Sequence, residues 1–189
     1  MYKSQAEDEP NLSPMAKPLS ESKRGLISSA GTYVHGQVAY YYKDDTSVRA
    51  IPSDTAVKDI RFSHIMENYL EEARQDPCTV FPLEALNQLE SEGIIGELAG
   101  NYFSCMGGIY SKNRVINELL PNLEKAVSKE QLDLLLLIPL LPVCHQTVCL
   151  IARHFESLGL PTLILGSALD LSLIHIRRCR PPLPSCDLS

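Results

Sequence analysis

The sequence predicts an α/β domain, a mostly parallel sheet flanked by helices within a single domain. Three observations carry that expectation. Residues 134–138 (LLLLI) are apolar without alternation, as a strand covered by helices on both faces must be. In VCHQTVCLIARHFESLG, Val148, Ile151, Ala152, Phe155 and Leu158 fall on one helical face and Gly159 follows as the stop. PTLILG then returns as a short apolar run, so residues 133–166 read as strand, tight loop, helix and second parallel strand.

The preceding elements follow in order. Residues 1–23 are polar, rich in proline and without apolar period, so they are expected to be a flexible segment lying loosely on the surface. RGLISSAGTYV reads as a strand running into a turn at Gly31, and SVRAIPSD as a second strand closed by Pro52 and Asp54. FPLEALNQLESEG has Pro82 at the first helical position, Leu83, Leu86 and Leu89 on one face, and Gly93 as the stop. A Gly-rich loop over Cys105 to Gly108 leads into KNRVINELLPNLEKAVSKEQ, which keeps helical spacing around Pro121 and is expected to kink there. The α/β domain is thus expected over residues 24–170.

Composition sets the function classes aside that do not fit. The net charge is -6 with no basic stripe, which removes the electrostatic footprint of a nucleic-acid partner. The apolar run of residues 134–143 contains two prolines and is far shorter than the roughly 20 residues a membrane span needs. With no apolar core near the amino terminus, no secretory signal is read, and a cytoplasmic protein with reduced thiols is expected. The six cysteines and five histidines show no zinc-site spacing, and no phosphate-loop or dinucleotide fingerprint is present. No metal and no cofactor are expected.

Chemistry is expected where the strand ends and the helix begins. A thiol at a helix amino terminus meets unpaired N–H groups and the positive end of the dipole, both of which favour thiolate. Cys144 is therefore the candidate nucleophile, and its neighbour His145 the candidate imidazolium or proton donor; the competing reading has Cys144 packed under the loop and His145 solvated. The Gly-rich loop from Ser104 to Gly108 and the turn at Ser29 to Gly31 are candidate sites of substrate contact.

KPLSESKRGLISSAG, AIPSD, SHI, VFPLEAL, EGIIGELAGNYFSCMGG and PVCHQTVCLIARHFESLGLPTLILGSALD, in that order, resemble the glycine/sarcosine/betaine and D-proline reductase selenoprotein-B family over residues 17–170. The resemblance implies an oxidoreductase that cleaves a carbon–nitrogen bond reductively, a dithiol and its disulfide completing the cycle. It implies a small amino-acid or betaine-like substrate, a dithiol reductant protein and other reductase subunits as partners. The expected site residues are Cys144 and His145 in catalytic roles and Gln146, Thr147, Ser104 and Gly107 as substrate contacts, with Cys144, His145, Gln146 and Thr147 retained from the family loop. The family loop carries selenocysteine or cysteine three residues before the counterpart of Cys144, and here that position is Leu141. A leucine neither attacks carbon nor forms a disulfide. Three explanations stand open: a member using one thiol, a catalytically silent binding or assembly protein, or a leucine read at a selenocysteine codon.

Residues 171–189 (LSLIHIRRCRPPLPSCDLS) do not continue the sheet pattern and resemble a translated sequencing adaptor. They are expected to be a non-native tail, which leaves His175, Cys179 and Cys186 without function.

Overall fold

The structure is a computed structural model that describes residues 12–66, 68 and 70–166. The expected tail, residues 171–189, lies outside the described residues. In chain order the elements are β1 (Arg24–Ser28), β2 (Thr32–Val34), β3 (Val48–Pro52), β4 (Ile60–Phe62), α1 (Glu71–Gln75), α2 (Leu83–Ser91) and β5 (Asn101–Cys105). There follow α3 (Lys112–Arg114), a π-helical turn (Val115–Leu119), α4 (Leu120–Val127), β6 (Leu134–Ile138), α5 (Pro142–Ser157) and β7 (Thr162–Ile164).

Five strands form one sheet in the order β3-β5-β1-β6-β7. Every neighbouring pair in it is parallel except β3 with β5. This is the α/β arrangement that the continuous apolar strands require, because a parallel sheet is stable only when covered on both faces. Ile27, Phe103, Leu135 and Leu137 face one layer, where Leu119, Leu123, Val148, Ile151 and Phe155 of the helical segments pack on them. Leu26, Tyr102 and Ile138 face the other, packed by Ile60, Phe62, Leu70, Phe81 and Leu83. Burying each large side chain contributes about 1.5–3 kcal/mol, so the stripe of α5 alone is enough to fix that helix against β6. β2 and β4 pair antiparallel as a separate two-stranded ribbon.

The β6–α5–β7 unit has the expected form, with Leu135, Leu136 and Leu137 paired to Thr162, Leu163 and Ile164. Several details differ from expectation, each for a local reason. Leu158 is 55% exposed instead of buried, because α5 ends at Ser157 and the chain turns out through Gly159 at φ +88°. Pro82 is the residue before the first helical position of α2, not the first position itself. The expected kink at Pro121 is a π-helical turn, in which the Leu120 N–H donates to the Val115 carbonyl. Pro121 follows directly within the continuous helical run 112–127, so the π turn accommodates the residue that cannot donate an intrahelical N–H. β5 was not expected as a strand, because NYFSC is short and mixes polar with aromatic residues.

Of the amino-terminal segment, residues 12–23 are described, and they are tied to the domain. The Ser13 N–H donates to Glu156 Oε2 at 2.5 Å and the Ser13 hydroxyl to the Glu156 carbonyl at 2.8 Å. Lys17 pairs with Asp133 at 2.9 Å, and the Lys23 N–H donates to Asp133 Oδ2 at 2.8 Å.

Candidate functional site

Parallel strands bring their carboxyl ends to one edge, and there β1, β5 and β6 deliver Ser29, the Gly107 loop and the start of α5. Leu141 caps α5 in an extended conformation, and Cys144 follows as its third helical residue. The Leu141 carbonyl accepts from the His145 N–H at 2.9 Å, closing the first turn.

Two glycines make the edge compact. Gly107 lies so close to α5 that a Cβ there would stand 2.7 Å from Cys144 Sγ and 2.7 Å from Ser29 Cβ. Its N–H donates to the Ser29 carbonyl at 2.9 Å, and its carbonyl accepts from the Thr147 hydroxyl at 3.0 Å. Gly31, at φ +65°, turns the chain against residue 63, where a Cβ would meet the Ser63 carbonyl oxygen. The Gly31 N–H donates to the Cys105 carbonyl and its carbonyl accepts from the Ser63 N–H, both at 3.0 Å. That pairing carries the residue after Ser63, His64, onto the start of α5.

The result is a buried thiol–imidazole contact, with Cys144 Sγ 3.3 Å from His64 Nε2. Cys144 is fully buried and His64 is 2% exposed. Burial pushes the Cys144 thiol up to about 11, against the opposing pull of the Ser29 hydroxyl and the N–H groups of Leu141, Leu140 and Cys144. The helix-start effect expected from the sequence is thus present but smaller than desolvation, so Cys144 rests as a thiol and not as a thiolate. Cys105, also fully buried, is raised well above the ordinary thiol range by burial and then by the charge of Cys144.

The remaining candidates separate clearly. His145, 3% exposed, turns its ring away from the sulfur, and its Nδ1 donates to the Leu141 carbonyl at 2.6 Å. Its Nε2 lies where a Cβ on Gly166 would be 2.9 Å away, beyond the end of β7. The Ser104 hydroxyl accepts from the Thr32 N–H at 2.8 Å and donates to the Ser28 carbonyl at 3.2 Å, so it joins β5 to β1 and β2 from within the core. Thr147 spends its hydroxyl on Gly107 in the same way. Gln146 is only partly buried, on the first turns of α5. Cys78 and Cys149 are half-buried, and neither forms a disulfide among the described residues.

Sequence reasoning missed His64. It stands 80 residues before Cys144, and no spacing rule connects the two. The signal was the SHI segment directly after a short strand, present in the sequence but without a local reason to single it out. Among the described residues no group of three or more His, Cys, Asp or Glu side chains is placed to hold a metal ion, and no helix is long and apolar enough to cross a membrane. A surface cleft of about 360 Å³ lies elsewhere, between β3 and α4, lined by Ser47, Phe103, Asn122, Lys125 and Lys129. No cysteine or histidine lines it, and it is set apart from the thiol.

Comparison with known proteins bears on this arrangement. Over 158 residues, 84% of its length, the chain is 27% identical to D-proline reductase subunit gamma of Acetoanaerobium sticklandii. Over 170 residues it is 24% identical to sarcosine reductase complex component B subunit beta of Peptoclostridium acidaminophilum. The chain is thus similar to subunits of the D-proline and sarcosine reductases. It is short against these relatives, spanning 65% of the first and 37% of the second. No family model matches the sequence, and no solved structure matches it. Both relatives are named as reductase subunits, and in this chain the loop that holds Cys144 has Leu141 as its helix cap.

Proposed function

We propose that the chain is an oxidoreductase subunit of the glycine/sarcosine/betaine/D-proline reductase type, contributing the Cys144 thiol to reductive cleavage of a carbon–nitrogen bond. The observation that carries this reading is the position of Cys144 as the third residue of α5, with its sulfur held by backbone N–H groups at the strand-end edge. The substrate is a small amino acid or betaine-like molecule. A thiolate attacks the carbon bearing nitrogen, a carbon–sulfur bond forms, and the amine leaves with the bonding pair and takes up a proton. A second thiol then attacks that sulfur, and the carbon departs with a proton. The disulfide left behind is reduced by a dithiol protein, so the two electrons gained by the substrate come from that dithiol.

Leu141 cannot supply the second thiol, so another subunit or the dithiol protein must. Cys144, being fully buried, has to be uncovered for either step. Gln146 is the loop side chain left to touch substrate once Ser104 and Thr147 are counted as internal ties. The reduced thiols this chemistry needs fit a cytoplasmic setting.

A catalytically silent binding or assembly role is the second reading. It is favoured by Leu141 and by a Cys144 thiol raised to about 11. The test is amine release from D-proline, sarcosine, glycine or betaine with dithiothreitol, using the purified chain together with the subunits that co-purify. Turnover that disappears in Cys144→Ser supports the reductase reading, and turnover that survives this substitution overturns it. No turnover in either the wild type or Leu141→Cys assigns the silent role.

A further inference from the structure

We propose that His64 is the positioning residue of the Cys144 thiol, its ring locked with Nε2–H toward the sulfur so that it steadies the thiolate by donation and does not act as the base. This rests on the reading of Cys144 as the working thiol. The lock comes from the other side of the ring. The Met66 N–H donates to His64 Nδ1 at 3.2 Å, so Nδ1 presents its lone pair. A neutral imidazole then carries its proton on Nε2, the nitrogen 3.3 Å from Cys144 Sγ. Placing a second proton on Nδ1 would set two N–H groups against each other and leave the Met66 N–H without this acceptor, so the fold resists that form.

With Nε2 already protonated, His64 has no lone pair facing the sulfur with which to take the thiol proton. The thiol's own hydrogen points to the Ser29 carbonyl at 3.9 Å, a weak contact, and on ionisation it passes to solvent once the site opens. The sulfur can then accept from Nε2–H, and charge-assisted donation is stronger than its neutral counterpart. The titratable groups around the thiol are His64 from the segment after β4 and Cys105 from the end of β5; His145, next in the chain, directs Nδ1 to the Leu141 carbonyl. Gly31 fixes the segment that presents His64, which makes the contact a property of the fold and not of a freely rotating side chain.

The experiment uses the full chain labelled with ¹⁵N-histidine and ¹³Cβ-cysteine, with the Cys144 resonance assigned by its loss in Cys144→Ser. Long-range ¹H–¹⁵N correlation should show His64 as the Nε2–H tautomer. His64→Leu should lower the Cys144 thiolate fraction near pH 10 by about tenfold, equivalent to one pKa unit. His64→Gln, whose amide N–H can donate, should recover part of that loss. A Nδ1–H tautomer, or a Cys144 titration that His64→Leu leaves in place, overturns the proposal. If His64→Leu does not fold, the wild-type tautomer decides. A correct tautomer and shifted titration without reductase turnover would support the pairing while removing the reductase reading, so the two can fail separately.

Discussion

As the pH rises from about 8 to about 12 the wild-type chain should lose about 2.7 kcal/mol of stability, about 1.9 kcal/mol of it between pH 9 and 11, that a Cys144→Ser variant does not lose. The thiol's ordinary value is 9.0, and burial raises it to about 11 in the fold. Below pH 9 the thiol is protonated in both folded and unfolded chains, so its contribution is constant and fully present. From pH 9 to 11 the unfolded chain releases the proton while the folded one keeps it, and mass action draws the protein toward unfolding. Above pH 11 both states are ionised and the loss levels off. A gap of about two pKa units at roughly 1.36 kcal/mol each gives the figure of about 2.7 kcal/mol. Serine does not titrate in this range and still offers His64 Nε2–H an acceptor. Urea unfolding of both proteins at pH 8, 9, 10 and 11 measures the effect as a difference, in which Cys105 and the lysines largely cancel. The wild-type curve should fall away from the variant's above pH 9. Parallel curves would refute the buried-thiol argument. A wild-type advantage that grows from pH 6 to 9 would refute it more sharply, because that opposite slope is what a thiolate favoured by the helix start would produce.

Gly107→Ala should destabilise by about 1–3 kcal/mol, the usual range for overpacking, since its Cβ would lie 2.7 Å from Cys144 Sγ and 2.7 Å from Ser29 Cβ. Thermal denaturation would show it, and an unchanged midpoint would mean that α5 is not seated against this loop. Arg24→Met should stabilise by about 1–3 kcal/mol, as replacement of a buried ion by an apolar group often does. Arg24 is 6% exposed, and none of its three guanidinium nitrogens has a hydrogen-bond partner among the described residues. A lower midpoint in that variant would show that the guanidinium finds an acceptor in solution. Gly31→Ala should also destabilise, by at least 1 kcal/mol, because φ +65° and the Ser63 carbonyl both oppose a side chain. The same variant should broaden the His64 resonances if Gly31 sets that segment.

How much of this was legible follows the range over which each signal acts. The β6–α5–β7 unit was legible because LLLLI and the stripe of Val148, Ile151 and Phe155 are local patterns that report directly on burial. β1 and β3 were legible from short apolar runs ended by Gly31 and Pro52. β5 was not, since its identity as a strand comes from lying between β1 and β3, a tertiary fact. Neither were the three-residue strands β2 and β4, which exist only as partners of each other. At the site, the helix start and Cys144 could be read from order along the chain, whereas the depth of Cys144 could not. The dipole argument depends on the first turn of one helix, while desolvation depends on everything packed over it. Here that cover comes from Ser29, Gly107 and His64, three separate segments of the chain.

That depth changes what the loop can do. Position 141 caps α5 with Leu141 only 5% exposed, and Cys144 in the third helical position is wholly enclosed, so both are buried and Cys144 is the deeper of the two. Burial also raises the Cys144 thiol. In the reductase reading this makes Cys144 better suited to breaking a sulfur bond brought to it than to opening the attack on carbon, because a protonated inner thiol is a poor first nucleophile and is shielded from water between turnovers. Leu141 leaves the loop without a second sulfur while Cys144 keeps its imidazole contact in place. A cysteine restored at 141 should consequently form a disulfide with Cys144 more readily than with Cys78 or Cys149, which are half-buried on other surfaces. Peptide mapping after mild oxidation of Leu141→Cys would locate that bond, and its appearance at Cys78 or Cys149 instead would show that the cap and the third residue of α5 are not the pair this geometry makes them.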